Sequence, residues 1–312
     1  MSSAPIIKSN RLTREFKDRI AVNELDLSIS PGELFGLVGP DGAGKTTTLR
    51  LLAGLLDISS GDANIVGFDL GSQPEKIKPQ IGYMAQEFNL YSELTVTENL
   101  AFFAELYQVD RDEIPVRMEK LLTFAGLTDF NERRAGNLSG GMQKKLALAC
   151  TLIHDPKVLL LDEPTTGVDP ISRREFWNIL NDLHVSGTTV VVSTPYMDEA
   201  DRCSTVGLIH EGQLVICDSP QNIRASIKAE IIELHLSDGH QAIEFIRNQA
   251  GVIEVQTYGP SLHILVDSAK KRIPQIKKAL SKQKCAISSI RQAPLRMEEA
   301  FISLINAMDG QS

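Results

Sequence analysis

Cysteine is scarce in this sequence: four in 312 residues, with no C-x-x-C pair among them. Spaced as they are, Cys150, Cys203, Cys217 and Cys285 exclude a disulfide framework or a zinc knuckle. They read as small core residues in a reducing compartment. Long apolar runs are missing too. No stretch approaches the ~20 residues that a membrane span needs, and Met1 to Asn10 lacks the apolar centre of a signal peptide. The expectation is a cytoplasmic chain that relies on other subunits for any spans. Positive charge is in deficit, with 32 Lys and Arg against 40 Asp and Glu and a net charge of -8. Bulk electrostatics therefore argue against nucleic acid as a partner. The hydrophobic content of 42% supports an ordinary core, and the length suits two domains of unequal size.

What is present centres on residues 34–54. Leu34 to Val38 is an apolar run suited to a buried strand. A loop with Gly39, Gly42 and Gly44 follows, and Leu49, Leu52 and Ala53 then recur at helical spacing. Gly39 to Thr46 has the P-loop spacing G-x-x-x-x-G-K-T. Glycines let backbone N–H groups turn inward around phosphate oxygens, and the helix N-terminus adds partial positive charge. Lys45 is predicted to reach the β- and γ-phosphates, and Thr46 to offer its hydroxyl to Mg²⁺.

Ahead of this loop, Ile6 to Leu12 and Ala21 to Ile29 read as strands around a turn at Lys17-Asp18-Arg19. Phe16 sits just before that turn, and taken alone it reads as ordinary core. Beyond the loop, Ala63 to Val66 and Ile81 to Ala85 read as strands. Residues 92–127 are mostly helical. Thr95 and Glu98 form a capping box there, and Leu100, Phe103, Ala104 and Tyr107 share one face. Ser139-Gly140-Gly141 opens a second glycine-flanked helix with free backbone donors. Val158 to Leu161 is a fully apolar run ended by Asp162, Glu163 and Pro164, the pattern of a parallel strand buried on both faces. Ligands gather at the carboxyl ends of such strands. Asp162 is thus placed to hold Mg²⁺ through water, and Glu163 to polarise an attacking water. Thr188 to Ser193 is a similar strand, and Glu211-Gly212 is a hairpin turn.

Taken in order, Gly39–Thr46, Gln86, Leu138-Ser139-Gly140-Gly141-Met142, Leu161-Asp162-Glu163-Pro164 and Gly167-Val168-Asp169 resemble the motifs of an ABC transporter ATP-binding subunit. They are similar to its Walker A, Q-loop, signature, Walker B and D-loop, over roughly residues 6–220. Ser193-Thr194-x-Tyr196-Met197-Asp198-Glu199-Ala200 and the added C-terminal segment resemble the ATPases of ABC-2 exporters. The resemblance implies an α/β P-loop fold with a mostly parallel core sheet, an antiparallel β subdomain and a helical subdomain at about 88–150, all within residues 1–222. It implies ATP and Mg²⁺ as cofactors. Gly39, Pro40, Asp41, Gly42, Ala43, Gly44, Lys45, Thr46 and Thr47 would cradle phosphate, and Phe16 would stack on adenine. Thr46, Gln86 and Asp162 would serve the metal, and Glu163 and Gln86 the chemistry. Two chains, identical or not, would close head to tail. Ser139, Gly140 and Gly141 of one chain would then complete the site of the other, and Asp169 would also serve nucleotide binding. ABC-2 type membrane permease subunits would hold the pair at the cytoplasmic face of the membrane.

Two positions depart from the pattern. Asp41 stands where asparagine is usual, and a carboxylate near triphosphate is repulsive unless it points away or meets a cation. Pro195 stands at the switch histidine, where it offers no side-chain donor and no backbone N–H. An alternative reading is therefore a nucleotide-binding regulator with little turnover. A DNA-repair ATPase would need a long coiled coil between Gly44 and Ser139, which residues 55–137 do not encode. A ribosomal one would carry two P-loops, and there is one. Residues 223–312 read as a small β-α-β-β-α-β unit of ferredoxin-like type, regulatory or dimer-supporting, without a catalytic constellation. Its strands are expected at Ile231–Leu236, Val252–Tyr258, Leu262–Val266 and Ala286–Arg291. Its helices are expected at Gln241–Asn248, Ile273–Gln283 and Glu298–Ala307. The Lys270-Lys271-Arg272 and Lys277-Lys278 runs read as a solvated helix face.

Overall fold

The computed structural model describes residues 4–87, 90–236, 242–283 and 285–309. The chain forms two compact units, one ending at Ser219 and the other starting at Pro220. The first unit runs through β1 (Ile7–Phe16), β2 (Arg19–Ile29), β3 (Leu34–Val38), α1 (Lys45–Leu52), β4 (Ser60–Ile65), β5 (Phe68–Asp69) and α2 (Pro74–Ile77). After β6 (Ile81–Met84) come α3 (Val96–Leu106), α4 (Ile114–Ala125) and α5 (Gly140–Leu152). It finishes with β7 (Val158–Asp162), α6 (Pro170–Val185), β8 (Thr189–Thr194), α7 (Met197–Ala200), β9 (Thr205–His210) and β10 (Gln213–Asp218).

The main sheet has the order β10-β9-β3-β8-β7-β6. Every pairing in it is parallel except β9 with β10. All residues of β3, β7 and β8 are buried, which is why these segments read as unbroken apolar runs. A second, antiparallel sheet has the order β2-β1-β4-β5. Its strand β1 runs on to Phe16, past the expected end at Leu12. Bulges reset its register against β2 between Ser9 and Leu12 and again before Glu15, and they hide the alternation.

The helical group α3, α4 and α5 has its own core of Val96, Leu100, Ala104, Leu122, Leu146 and Cys150. The Thr95–Glu98 capping box is formed, each side chain bonding the other's backbone N–H. Helix α6 was not legible as a helix. Its start is nevertheless marked by Asp169, whose carboxylate accepts from the N–H groups of Ile171 and Ser172 at 3.0 Å, and by Pro170 in the first helical position. Two of the four cysteines depart from the expectation of core residues. Cys150 and Cys203 are buried, and burial pushes their thiols up, but Cys217 is exposed and Cys285 half-exposed. Sequence shows that a thiol is isolated; it does not show which strand face carries it.

The second unit contains α8 (Pro220–Ser226), β11 (Glu230–Leu236), α9 (Ala242–Arg247), β12 (Val252–Tyr258), β13 (Ser261–Val266), α10 (Ala269–Lys282), β14 (Ile287–Ala293) and α11 (Met297–Asp309). Its sheet is wholly antiparallel in the order β12-β13-β11-β14, the split β-α-β arrangement of a ferredoxin-like sandwich. Ile232, Leu234, Ile246, Ile264 and Ile276 fill its core. Helix α10 starts four residues ahead of the expected Ile273, so Pro274 lies inside it. The early start is held by Arg272, which donates twice to Asp267 at 2.7 and 2.6 Å and keeps that carboxyl down at about 2. Of the helix expected at Gln241–Asn248, Gln241 lies outside the described residues.

Candidate functional site

The loop between β3 and α1 crosses the carboxyl end of the parallel sheet. Gly44 takes a left-handed conformation with φ at 104°, and a Cβ there would lie 2.4 Å from the Ala21 carbonyl oxygen. Only glycine meets both demands. A Cβ on Gly39 would come 2.2 Å from the Ile209 carbonyl oxygen. The loop is thus wedged between β2 and β9, with Lys45 at the start of α1.

Lys45 is 3% exposed. Its ammonium donates to the Gly39 and Pro40 carbonyls at 2.9 Å each, and Glu163 Oε1 lies 3.4 Å away. Glu163 Oε2 accepts from the Gln86 amide at 2.9 Å and from the Thr166 hydroxyl at 3.3 Å. Glu163 itself has φ at 45°, unusual for a residue with a side chain. Its backbone N–H donates to the Ser193 hydroxyl at 3.1 Å. Asp162 Oδ1 accepts from Thr46 at 3.1 Å and from Ser193 at 2.6 Å, while the buried Asp162 Oδ2 has no partner.

Lys45, Thr46, Gln86, Glu163 and Thr166 face one cavity of about 560 Å³, lined also by Phe16, Arg19, Asp41, Thr47, Pro195 and Tyr196, while the fully buried Asp162 and Ser193 lie behind its wall. Phe16 is 41% exposed at its mouth, so the reading of Phe16 as core gives way to a surface ring. The Arg14 guanidinium lies 4.5 Å from the centre of that ring, so one of its faces is taken. Asp41 is exposed, where water screens its charge. Arg19 bonds the neighbouring Gly42 carbonyl at 3.0 Å and sets a cation beside the loop.

Ser139, Gly140, Gly141 and Asp169 do not line this cavity. Ser139 caps α5, its hydroxyl accepting from the Met142 N–H at 3.3 Å, and Ser139 and Gly140 are exposed. Pro195 does line the cavity, one residue past β8. Thr194 is buried and donates its hydroxyl to Glu199 Oε2 at 2.6 Å, so it offers nothing to a ligand. Glu199, 1% exposed, also accepts from Thr165 at 2.7 Å, Arg173 at 2.6 Å and Trp177 at 2.8 Å. That carboxylate ties β8, α6 and the Thr165 turn together. Glu199 and Ser193 have no role in the sequence beyond membership of a pattern, because, Thr194 apart, their partners are 22–34 residues away.

The donor set fits a small hard cation: hydroxyl and carboxylate oxygens with one buried carboxylate oxygen unpartnered. No group of three His, Cys, Asp or Glu among the described residues could hold a metal unaided. Phosphate and water would have to complete its shell.

The ABC transporter family profile matches residues 22–166. The chain is 48% identical over 218 residues to the probable multidrug ABC transporter ATP-binding protein YbhF of Escherichia coli. That match covers 69% of this chain but only 38% of YbhF, so the chain spans well under half of that relative. It is 34% identical to the Nod factor export ATP-binding protein I of Burkholderia thailandensis, over 97% of this chain and 98% of that one. Among solved structures, CbiO1 of Clostridium perfringens, part of an ABC transporter complex, superposes with a TM-score of 0.67 at 28% identity. It covers 72% of this chain and 92% of its own.

Two outcomes are expected. Lys45→Ala removes a charged donor worth about 1.5–3 kcal/mol, so fluorescent ATP analogues should bind roughly ten- to a hundredfold more weakly. Parent-like affinity would refute the phosphate assignment. Glu199→Ala leaves Arg173 and three further donors without their acceptor. It should lower stability in urea by about 3–5 kcal/mol, and a shift under 1 kcal/mol would show the cluster to be incidental.

Proposed function

Because the chain belongs to the ABC transporter family of ATP-binding proteins, we propose that it is the ATP-driven motor subunit of an exporter. In this reading two ATP-binding chains sandwich nucleotide head to tail and drive ABC-2 type permease subunits. The observation that carries it is a separation within one chain. Lys45, Thr46, Glu163 and Gln86 meet at one cavity, with Asp162 bonded to Thr46 behind it, whereas the second anion-suited loop, Ser139–Gly141, stands outside it with Ser139 and Gly140 exposed. A second chain is the economical source of that loop for the cavity. The export named for the Nod factor relative and the multidrug transporter named for YbhF support the direction of transport. No helix among the described residues is long and apolar enough to cross a membrane, so the spans must come from elsewhere.

In this role Lys45 exchanges Glu163 for the β- and γ-phosphates of ATP. Thr46 and Asp162 would hold Mg²⁺, directly or through water, with Gln86 at its edge; bound there, the ion neutralises phosphate charge. Glu163, freed from Lys45, accepts a hydrogen bond from the attacking water and orients it. Phe16 stacks on the base with the face that Arg14 leaves open. Among its described residues the second unit has no such constellation, and we assign it a regulatory or dimer-supporting part.

Glu163→Gln keeps the shape and removes the base. Sized with Mg-ATP, alone and with a partner ATPase chain, it should run as a dimer; a monomer under every condition would exclude the sandwich.

Pro195 sets the rate. A donor positioned on transition-state charge is worth ~3–4 kcal/mol, two to three decades in rate. Proline supplies none, and the Thr194 hydroxyl is committed to Glu199. The isolated chain should therefore bind ATP well and turn over slowly. Pro195→His should raise kcat more than it changes KM. Vigorous wild-type turnover, unmoved by that substitution, would refute this account and point to Tyr196 as the donor.

A further inference from the structure

We propose that Ser193 is a positioning residue that holds the Asp162 carboxylate ready for a divalent cation and fixes the backbone from which Glu163 reaches the cavity. The inference rests on the reading above, in which Thr46 and Asp162 hold Mg²⁺ and Glu163 orients water. Ser193 lies on β8, level with Asp162 on β7 and Leu37 on β3. It is fully buried, and a hydroxyl in such a place needs partners. Both of its partners are residues of the site. It donates to Asp162 Oδ1 at 2.6 Å and accepts from the Glu163 N–H at 3.1 Å.

The chemistry of the two partners sets the direction of these bonds. A backbone N–H can only donate, so the Ser193 oxygen accepts from Glu163 and its own proton turns to the carboxylate. The bonds run one way, from the Glu163 N–H through the hydroxyl to Asp162, and each polarises the next. Thr46 donates to the same carboxylate oxygen at 3.1 Å, whereas the buried Oδ2 has no partner. Two donors on Oδ1 thus orient the carboxylate and leave Oδ2 to the shell of a cation. Thr46 lines the cavity, where its hydroxyl is shared with any ion; Ser193 lies behind the wall and serves Asp162 alone.

The second bond bears on Glu163, whose φ of 45° is unusual for a residue with a side chain. Such a conformation persists where its surroundings over-determine it. Here the Glu163 N–H donates to both the carbonyl and the hydroxyl of Ser193, each at 3.1 Å. An ordinary core hydroxyl satisfies itself on a nearby carbonyl, as the buried Thr151 does on Ala147 at 2.8 Å. Ser193 instead spends its proton on a carboxylate of the site.

The test uses the full chain and separates metal from nucleotide. Ser193→Ala leaves the Glu163 N–H its carbonyl acceptor, so the chain should fold. Binding of a fluorescent ATP analogue is read in EDTA and then across a Mg²⁺ titration. Affinity in EDTA should stay within about twofold of the parent, while the Mg²⁺ concentration at half response rises roughly tenfold, the low end of what hydrogen-bonding partners of metal ligands contribute. By the same measure kcat should fall roughly tenfold, with KM moving less than about threefold. Ser193→Thr keeps the hydroxyl and suits a strand, and it should recover both. Should either variant not fold, Ser193→Cys, which keeps the size with only a weak donor, is read as Ser193→Ala is. An unchanged Mg²⁺ response, an equal loss in EDTA and in Mg²⁺, or a folded Ser193→Thr as defective as Ser193→Ala overturns the proposal. A parent chain that binds the analogue with no Mg²⁺ response at all removes the metal reading itself, and this proposal with it.

Discussion

The buried pairing of Lys45 with Glu163 is the constraint on which the rest of the first unit depends. Both groups are nearly inaccessible, at 3% and 7%. A lone charge in such a place costs several kcal/mol, and the pair is tolerated because each partner has further bonds. Lys45 has the carbonyls of Gly39 and Pro40, and Glu163 has Gln86 and Thr166. Holding these atoms together requires the carboxyl ends of β3, β7 and β8 side by side. The parallel register Leu37↔Ser193 and Asp162↔Ser193 delivers that. In the proposed role the pair is where phosphate would enter, since a triphosphate offers Lys45 more negative charge than Glu163 does.

Much of this was readable in advance where a segment's structure is set by its own residues. The P-loop, the all-apolar strands and the Thr95 cap are local patterns, and they appear where the pattern puts them. The order β12-β13-β11-β14 follows from the alternation of strands and helices in the second unit, because few connections are compatible with it. Helix α6 carries local signals, the Asp169 cap and Pro170 after it, that went unread. Two things were hidden for physical reasons. Bulges break the period of β1, so its extension to Phe16 was not visible. The Glu199 cluster joins residues whose side chains meet only in three dimensions, so its four donors were invisible to spacing arguments.

The departures from the family pattern have different structural weights. Asp41 is solvent-exposed beside a loop whose carbonyl is bonded by Arg19, so its charge is cheaply accommodated. Pro195 is accommodated just as easily by the backbone. It follows the last residue of β8, so no ladder hydrogen bond is lost, and Thr194 is already extended, as a residue before proline prefers. The fold therefore exerts no pressure against proline at this position. In the proposed role, whatever Pro195 costs falls on the reaction and not on stability.

That distinction bears on why one chain is an incomplete machine. Of the residues proposed to grip phosphate, Lys45 is buried and bonded to Gly39, Pro40 and Glu163. The residues expected to close over it are exposed: Ser139 and Gly140 at the start of α5, and Tyr196 at 36% accessibility on the cavity wall. Exposed polar groups at a helix start are satisfied by water and lose little by exchanging it for phosphate oxygens. Binding can then be strong within one chain while the geometry for hydrolysis waits on a second. In the proposed reading, proline at position 195 sharpens this division, because it withholds a donor from the chain's own reaction and touches none of the bonds that hold Lys45.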